Sequence, residues 1–321
     1  MAIYRDIRDI NFEKTVVTVG SFDGVHSGHK LLLQRVVDLA KQNHLRSVVL
    51  TFWPHPRYVL GAAAFQMPPN ELNCNCVAVP MLLNTLDEKI TLLNQSGIDD
   101  VIVFPFDKYL SQMSASEFIN EIIIEKLNAR YLVVGQDHHF GNKRSGNVNH
   151  LQDFTSKSDL QIDVVDLKNM KTFDWKISSS EIRKVLLNGD MNIANEMLGY
   201  EYMISGKVID GRHIGRSIGF PTANIETFKY KLLPKEGVYR VKVNNFDKLG
   251  MLYIGKRPLF KQEDETVHVE VNIFDFDKHI YGQEVTLSLT HYIRGNTKFE
   301  NVEQLVEQLQ RDKQIILDYP L

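Results

Sequence analysis

The ten residues Gly20-Ser21-Phe22-Asp23-Gly24-Val25-His26-Ser27-Gly28-His29 hold the groups that a phosphate site needs: glycines four apart and two imidazoles three apart. Gly20, Gly24 and Gly28 let a backbone turn tightly and come close to a phosphate. A helix starting here would add the partial positive charge of its N-terminus. His26 and His29, donating hydrogen bonds to one phosphoryl cluster, suit transfer at an α-phosphate. That reaction requires no covalent nucleophile, because in-line placement and stabilisation of charge on the phosphoryl oxygens lower most of the barrier. A second group lies in Ile177-Ser178-Ser179-Ser180-Glu181-Ile182-Arg183, where Ser179, Ser180 and Arg183 would meet phosphate at a helix start. Taken alone, Ser178 to Glu181 also fits an ordinary capping box.

A third group runs from Gly206 to Asn224 and contains four glycines with several basic residues. Gly215 and Gly219 suggest a flexible anion-binding loop. Thr222 and Asn224 follow with uncharged oxygens suited to a Mg²⁺ ion whose other ligands are phosphates and waters. Downstream, Glu270 stands on the polar face of an apolar strand, where a carboxylate can accept the proton of an attacking hydroxyl.

These groups need elements to hold them. From residue 15 to about 166, short β-branched runs alternate with amphipathic stretches, the pattern of βα units around a parallel sheet. Strands are expected at 15–19, 47–52, 100–104 and 130–134, each nearly continuously apolar as for strands covered on both faces. One helix begins near His29 and buries Leu32, Val36 and Leu39. Another is opened by Thr85 with Glu88 and closed by Gly97, and a third by Ser114 with Glu117 before Phe118, Ile122 and Leu127. The first group therefore sits at a strand-to-helix turn, where parallel sheets bind ligands.

After about residue 188 the period changes to two, with turns between strands, which places a domain boundary there: residues 1–187 and 188–321. The clearest strand is 267–274, with Val267, Val269, Val271 and Ile273 on one face and His268, Glu270 and Asn272 on the other. Strands at 238–243 and 284–289 read similarly. Several such strands in a short domain suggest a closed or nearly closed barrel. Asn301 with Gln304 caps a last helix whose stripe of Val302, Leu305, Val306 and Leu309 should pack on it.

The 321 residues carry a formal net charge of -3 from interleaved acidic and basic residues, so no attraction to nucleic acid or anionic lipid is implied. The partner expected is small. Cys74 and Cys76 are too close for an easy disulfide and too few for a closed zinc site. Without a signal peptide or an apolar run near the roughly 20 residues that span a bilayer, the expectation is a soluble cytoplasmic protein. A homo-oligomer is left open.

Phe-Asp-x-x-His-x-Gly-His after a strand resembles the signature of the HxGH nucleotidyltransferases. Together with Thr51-Phe52, Pro54-His55-Pro56, Leu86-Asp87-Glu88-Lys89, Val133-Val134-Gly135, Phe140-Gly141, Gly215 to Asn224 and Tyr281-Gly282, it makes the chain resemble the bacterial bifunctional riboflavin kinase and FAD synthetase family over nearly its whole length. The resemblance implies a Rossmann-like N-terminal nucleotidyltransferase domain that adenylylates FMN to FAD, and a small antiparallel β-barrel with a C-terminal helix that phosphorylates riboflavin to FMN. Both would use ATP with Mg²⁺. Carried over by residue, Gly20, Phe22, Asp23, Gly24, Gly28, His26 and His29 form the ATP loop, Ser179, Ser180 and Arg183 bind outer phosphates, and Asp137 lies by the ligand. By the same resemblance Thr222 and Asn224 would hold Mg²⁺, and Glu270 would be the general base for the ribityl 5′-hydroxyl.

The chain departs from the family's pattern at Tyr253, at Leu259 after Arg257-Pro258, at Gly295-Asn296-Thr297 and at Trp53. Most of these changes fall in the kinase half, so the alternative is an FAD synthetase whose barrel binds flavin without phosphorylating it. Two decoys are set aside. Asp137-His138-His139 lacks the further aspartates of a metal site, and residues 250–255 before Lys256 mimic a P-loop but lack its Ser or Thr, so they read as a β-turn. Residues 261–265 read as a solvated hairpin tip.

Overall fold

The computed structural model describes residues 1–8, 10–60, 81–136, 151, 158–166, 177–211, 214–256 and 267–320. Asp137, His138, His139, Phe140, Gly141, Cys74, Cys76 and the expected tip at 261–265 lie outside the described residues. The chain packs as two compact units, residues 1–81 with 89–176 and residues 82–88 with 177–321.

The first unit is built on six strands: β1 (Ala2–Tyr4), β2 (Thr15–Val19), β3 (Arg46–Trp53), β4 (Asp100–Pro105), β5 (Ala129–Gly135) and β6 (Gln161–Val165). Every ladder is parallel, in the order β1-β4-β3-β2-β5-β6. The four expected strands are its centre, and β2 is buried along its whole length, as two-sided cover requires. The edge strands β1 and β6 were not foreseen, because three apolar-edged residues and an exposed mixed run give little periodicity.

Helix α1 (Ser27–Asn43) follows β2 and buries Leu32, Leu33, Val36, Val37 and Leu39. Helix α2 (Leu86–Gln95) has the expected capping box: the Thr85 amide donates to Glu88 Oε2 at 2.9 Å and the Glu88 amide to Thr85 Oγ1 at 3.2 Å. Gly97, at φ +76°, lets the chain turn away from it. Ser114 and Glu117 make a full capping box, and α3 (Phe118–Lys126), wound as a π-helix, follows and buries Phe118 and Ile122. β2 has β3 on one side and β5 on the other, so the strand order reverses at β2, the kind of place on the C-terminal edge of a parallel sheet where ligands bind.

The second unit begins with α4 (Ser179–Asn188) and α5 (Met191–Leu198). Six antiparallel strands follow: β7 (Tyr202–Ile209), β8 (Ala223–Thr227), β9 (Gly237–Val243), β10 (Lys248–Gly255), β11 (His268–Ile273) and β12 (Glu284–Arg294). They close into a barrel in the order β10-β11-β8-β7-β12-β9. Ile182, Leu186 and Met191 join Tyr202, Leu252 and Leu287 in one core, so packing groups α4 with the barrel from Ile177 onward. The strand pattern placed the change at 188 because period-two alternation starts only after the helices.

Residues 82–88 complete this unit. The Leu82 amide donates to Tyr230 O at 2.7 Å and Leu82 O accepts from the Leu232 amide at 2.8 Å. Behind them Lys231 Nζ pairs with Glu88 Oε2 at 2.6 Å and donates to Leu83 O at 2.7 Å, both side chains almost wholly buried.

Three local expectations are corrected. Residues 250–255 are strand β10 and not a turn, and Gly250 is needed there because a Cβ would sit 2.9 Å from Asn272 O. Val267 precedes β11 and is exposed, whereas Val269, Val271 and Ile273 are buried. The last helix, α6 (Val302–Asp318), is capped by Asn301 as expected but docks by its second half: Val302 is exposed, while Asp312 and Ile316 are buried. Arg294 on β12 supplies the reason, holding the Asp312 carboxylate at 2.7–2.9 Å.

Candidate active sites

The loop between β2 and α1 is held in an unusual backbone. Phe22, Gly24 and Val25 have φ of 45°, 90° and 33°, and the Val25 amide closes the turn on Phe22 O at 3.2 Å. For a β-branched residue such a φ costs of order 1–3 kcal/mol, a strain that gathers where a loop must present its amides to a ligand. The glycines divide the work. Gly24 supplies the left-handed turn, and Gly28 leaves space for the His26 ring, whose Nδ1 would lie 3.3 Å from a Cβ there.

That Nδ1 caps α1 by accepting the His29 amide at 3.3 Å. A ring nitrogen that accepts carries no proton, so the neutral imidazole is protonated at Nε2 and donates from there. The His26 and His29 rings stack, centroids 3.6 Å apart and 13° from parallel, with the Phe22 ring edge-on to His29. Burial pushes His26 down to about 4, against the pull of Asp23. Burial also holds His29 well below the usual imidazole range, helped by His26 and Lys89. The loop therefore offers two neutral donors. Among the described residues, His29 Nδ1 is buried without a hydrogen-bond partner.

One member of this cluster was not assigned from the sequence. Lys89, 2 % exposed on α2, points its ammonium at Thr51 Oγ1 (3.5 Å) and over the Trp53 ring (5.8 Å), both on β3. Burial lowers it to about 8, against the attraction of Asp23. The signal was present: Lys89 lies on the same face as the buried Leu86 and Leu93, a position where an amphipathic helix ordinarily has an apolar residue.

Ser179, Ser180 and Arg183 lie on the first turns of α4 in the second unit. Ser178 caps the helix by accepting the Glu181 amide at 3.3 Å, so the capping reading and the phosphate reading of this segment are compatible. Ser180 is exposed, and Ser179 and Arg183 are partly so. Asp137 lies outside the described residues.

In the barrel, Thr222, Asn224 and Glu270 come together. Asn224 and Glu270 are register partners between β8 and β11, and Thr222 Oγ1 donates to Glu270 Oε2 at 3.4 Å. Their loop is tightly folded: the Phe220 amide bonds to Gly215 O at 2.8 Å, Asn272 holds Pro221 O at 2.6 Å, and Gly219 turns at φ +81°. Gly211, not singled out from the sequence, has no room for a side chain because a Cβ would lie 2.0 Å from Asn224 Nδ2. Tyr253 is the register partner of Glu270 on its other side, and burial, with Glu236 and Glu270, pushes its phenol up to about 12. A hydroxyl, an amide oxygen and a carboxylate are hard oxygen donors, the set that suits Mg²⁺ completed by phosphate and water. No group of three His, Cys, Asp or Glu among the described residues is placed to hold a metal.

Residues 9–181 match the FAD synthetase family and residues 198–319 the riboflavin kinase family. Proteins named bifunctional riboflavin kinase/FMN adenylyltransferase are similar along most of both chains. The one from Listeria monocytogenes is 36% identical, covering 95% of this chain and 91% of its own, and the one from Bacillus subtilis is 35% identical, covering 95% and 92%. The Escherichia coli protein of that name is 30% identical over 94% and 91%. A solved structure described as a macrolide-efflux protein from Streptococcus pneumoniae superposes with a TM-score of 0.82, at 29% identity and 99% coverage of each chain.

Proposed function

Starting from the fact that the chain belongs to the bifunctional riboflavin kinase/FMN adenylyltransferase family, we propose how its residues divide the two reactions. It phosphorylates riboflavin to FMN and adenylylates FMN to FAD, with ATP as co-substrate. Residues 1–187 are assigned to adenylyl transfer and 188–321 to the kinase. The two family matches leave 182–197 between them, so α4 carries a signature of the first activity while packing with the second unit.

In adenylyl transfer an oxygen of the FMN phosphate attacks the α-phosphorus of ATP, and the bond to the β-phosphate breaks to release pyrophosphate. The nucleophile is already an anion, so no base is needed; what is needed is stabilisation of charge on the phosphoryl oxygens. The stacked, neutral rings of His26 and His29 carry this reading. They donate hydrogen bonds, with the amides of residues 22–28 beside them, and Asp137 borders the ligand. Ser179, Ser180 and Arg183 bind outer phosphates.

In the kinase reaction the ribityl 5′-hydroxyl of riboflavin attacks the γ-phosphorus. Glu270 takes its proton and ADP leaves. Thr222 and Asn224 hold Mg²⁺, which when bound offsets phosphate charge, while Gly215 and Gly219 shape the loop over the phosphates. The clustering of Thr222, Asn224 and Glu270 favours an active kinase over a barrel that only binds flavin. The substrates are free small molecules in the cytoplasm. No helix among the described residues is long and apolar enough to cross a membrane, and the efflux named for the pneumococcal structure is not carried over.

The test is product analysis by chromatography. Pure protein given riboflavin, ATP and Mg²⁺ should form FMN and then FAD; FAD from FMN but no FMN from riboflavin would remove the kinase assignment, and chelation of Mg²⁺ should stop FMN formation.

A further inference from the structure

Lys89 is a buried cation to which the adenylyl-transfer reading has given no task. An ammonium has three N–H donors and no acceptor, and burying it is costly unless those donors and its charge are met. Its hydrogen-bond acceptor among the described residues is the Thr51 hydroxyl, at the outer limit of such a bond, with the Trp53 ring as a second, weaker contact. A core position on α2 would be filled more stably by leucine or methionine, so the charge is not there for packing. It stands instead in the same cluster as the signature loop: the Thr51 hydroxyl it meets itself donates to Ser21 O at 3.3 Å, Asp23 attracts it, and it acts electrostatically on His29.

The charge of the site makes the case specific. His26 and His29 are neutral, so they donate hydrogen bonds but bring no net positive charge to a triphosphate. The Asp23 carboxylate beside them is 3% exposed. Transfer of an adenylyl group builds negative charge on the α-phosphoryl oxygens and on departing pyrophosphate, and in a water-poor site a nearby cation is worth far more than in solvent.

We propose that Lys89 supplies the fixed positive charge of the adenylyl-transfer site, acting on the phosphates of ATP. This rests on the reading that the loop of residues 20–29 is where ATP is adenylyl donor. A purely structural Lys89, holding Thr51 in place, is the competing role.

The two roles predict opposite results for Lys89→Met. If Lys89 serves ATP, FAD formation from FMN falls by about 10² or more, with the Michaelis constant for ATP raised. The melting temperature should hold or rise, because a buried charge is replaced by a side chain that fits an apolar position. FMN formation from riboflavin reports that the rest of the chain is folded. FAD formation close to wild type, or a fall in melting temperature with all activity lost in step, would overturn the proposal.

A measurement on the wild-type enzyme covers the case of a variant that does not fold. The groups facing Lys89 are Asp23 from the loop and His29 from α1, with Thr51 and Trp53 from β3. Burial holds the two imidazoles below their usual range, whereas the ammonium is held to about 8. The Michaelis constant for ATP in FAD synthesis should therefore rise as pH passes about 8. A value flat well into alkaline pH would overturn the proposal. His29→Ala, run in parallel, separates the two layers: a loss there without a loss in Lys89→Met removes Lys89 alone. FAD formation indifferent to both changes removes the site reading and the proposal together.

Discussion

Lys89 and Lys231 are buried to a similar degree, yet their ammonium groups are met in opposite ways. Lys231, in the second unit, pairs with Glu88 at 2.6 Å, donates to Leu83 O and lies over the Tyr202 ring. Glu88 is in turn filled by the amides of Thr85 and Ser205. Lys89, in the first unit, has one distant hydroxyl and an aromatic face. A cation whose partners come entirely from its own chain belongs to the architecture. One left with weak partners beside a signature loop keeps its capacity for a ligand. The candidate sites differ along the same line: the first collects neutral donors around a cation, as a reaction between anions requires, and the barrel collects hard oxygens around a carboxylate, as deprotonation of an alcohol requires.

The largest effect that sharpens this contrast should come from Lys231→Met. Leaving Glu88 buried and unpaired costs about 3–5 kcal/mol, so the second unit should unfold at markedly lower denaturant concentration. A stability unchanged by this substitution would break the distinction between the two lysines. Next is Glu270→Gln, expected to lower FMN formation by about 10²–10⁴ while FAD formation from added FMN persists. His29→Ala should do the reverse by about 10² or more. If either abolishes both activities in a folded protein, the assignment of separate sites is wrong.

The smallest effect is one of pH. With His26 held to about 4 and His29 also low, FAD synthesis should show no inflection near the ordinary imidazole value of about 6.5. The sign for stability follows from the same shift. Between about 4 and 6.5 the unfolded chain binds the protons that buried His26 refuses, so stability is full above that window and is lost as pH falls through it. Thermal melts across mildly acidic pH would check this, and a rate profile with a limb near 6.5 would show that the rings are not neutral.

Much of this was legible in the residues. Strands β2 to β5 announced themselves because strands covered on both faces are apolar without interruption, and the capping boxes at Thr85 and Ser114 because two side chains answer each other three residues apart. The signature loop, Thr222, Asn224 and Glu270 were singled out by residue type and by resemblance. What escaped was set by distant partners. Strand β1 is defined by its pairing with distant β4, Gly250 is required by an atom of β11, and α6 docks where Arg294 finds Asp312. Lys89 sat within a recognised motif but had no role, since its meaning depends on which strand faces α2.

Arg240 on β9 carries a last consequence. Its guanidinium is buried in the barrel and donates to Thr290 Oγ1 and to the carbonyl of Ile316, in the closing turn of α6. As the chain leaves the ribosome, strand β9 is made some seventy residues before that carbonyl exists. Closure of the kinase half therefore waits for residue 316 to be made, and a protein clipped before it should lose the barrel first.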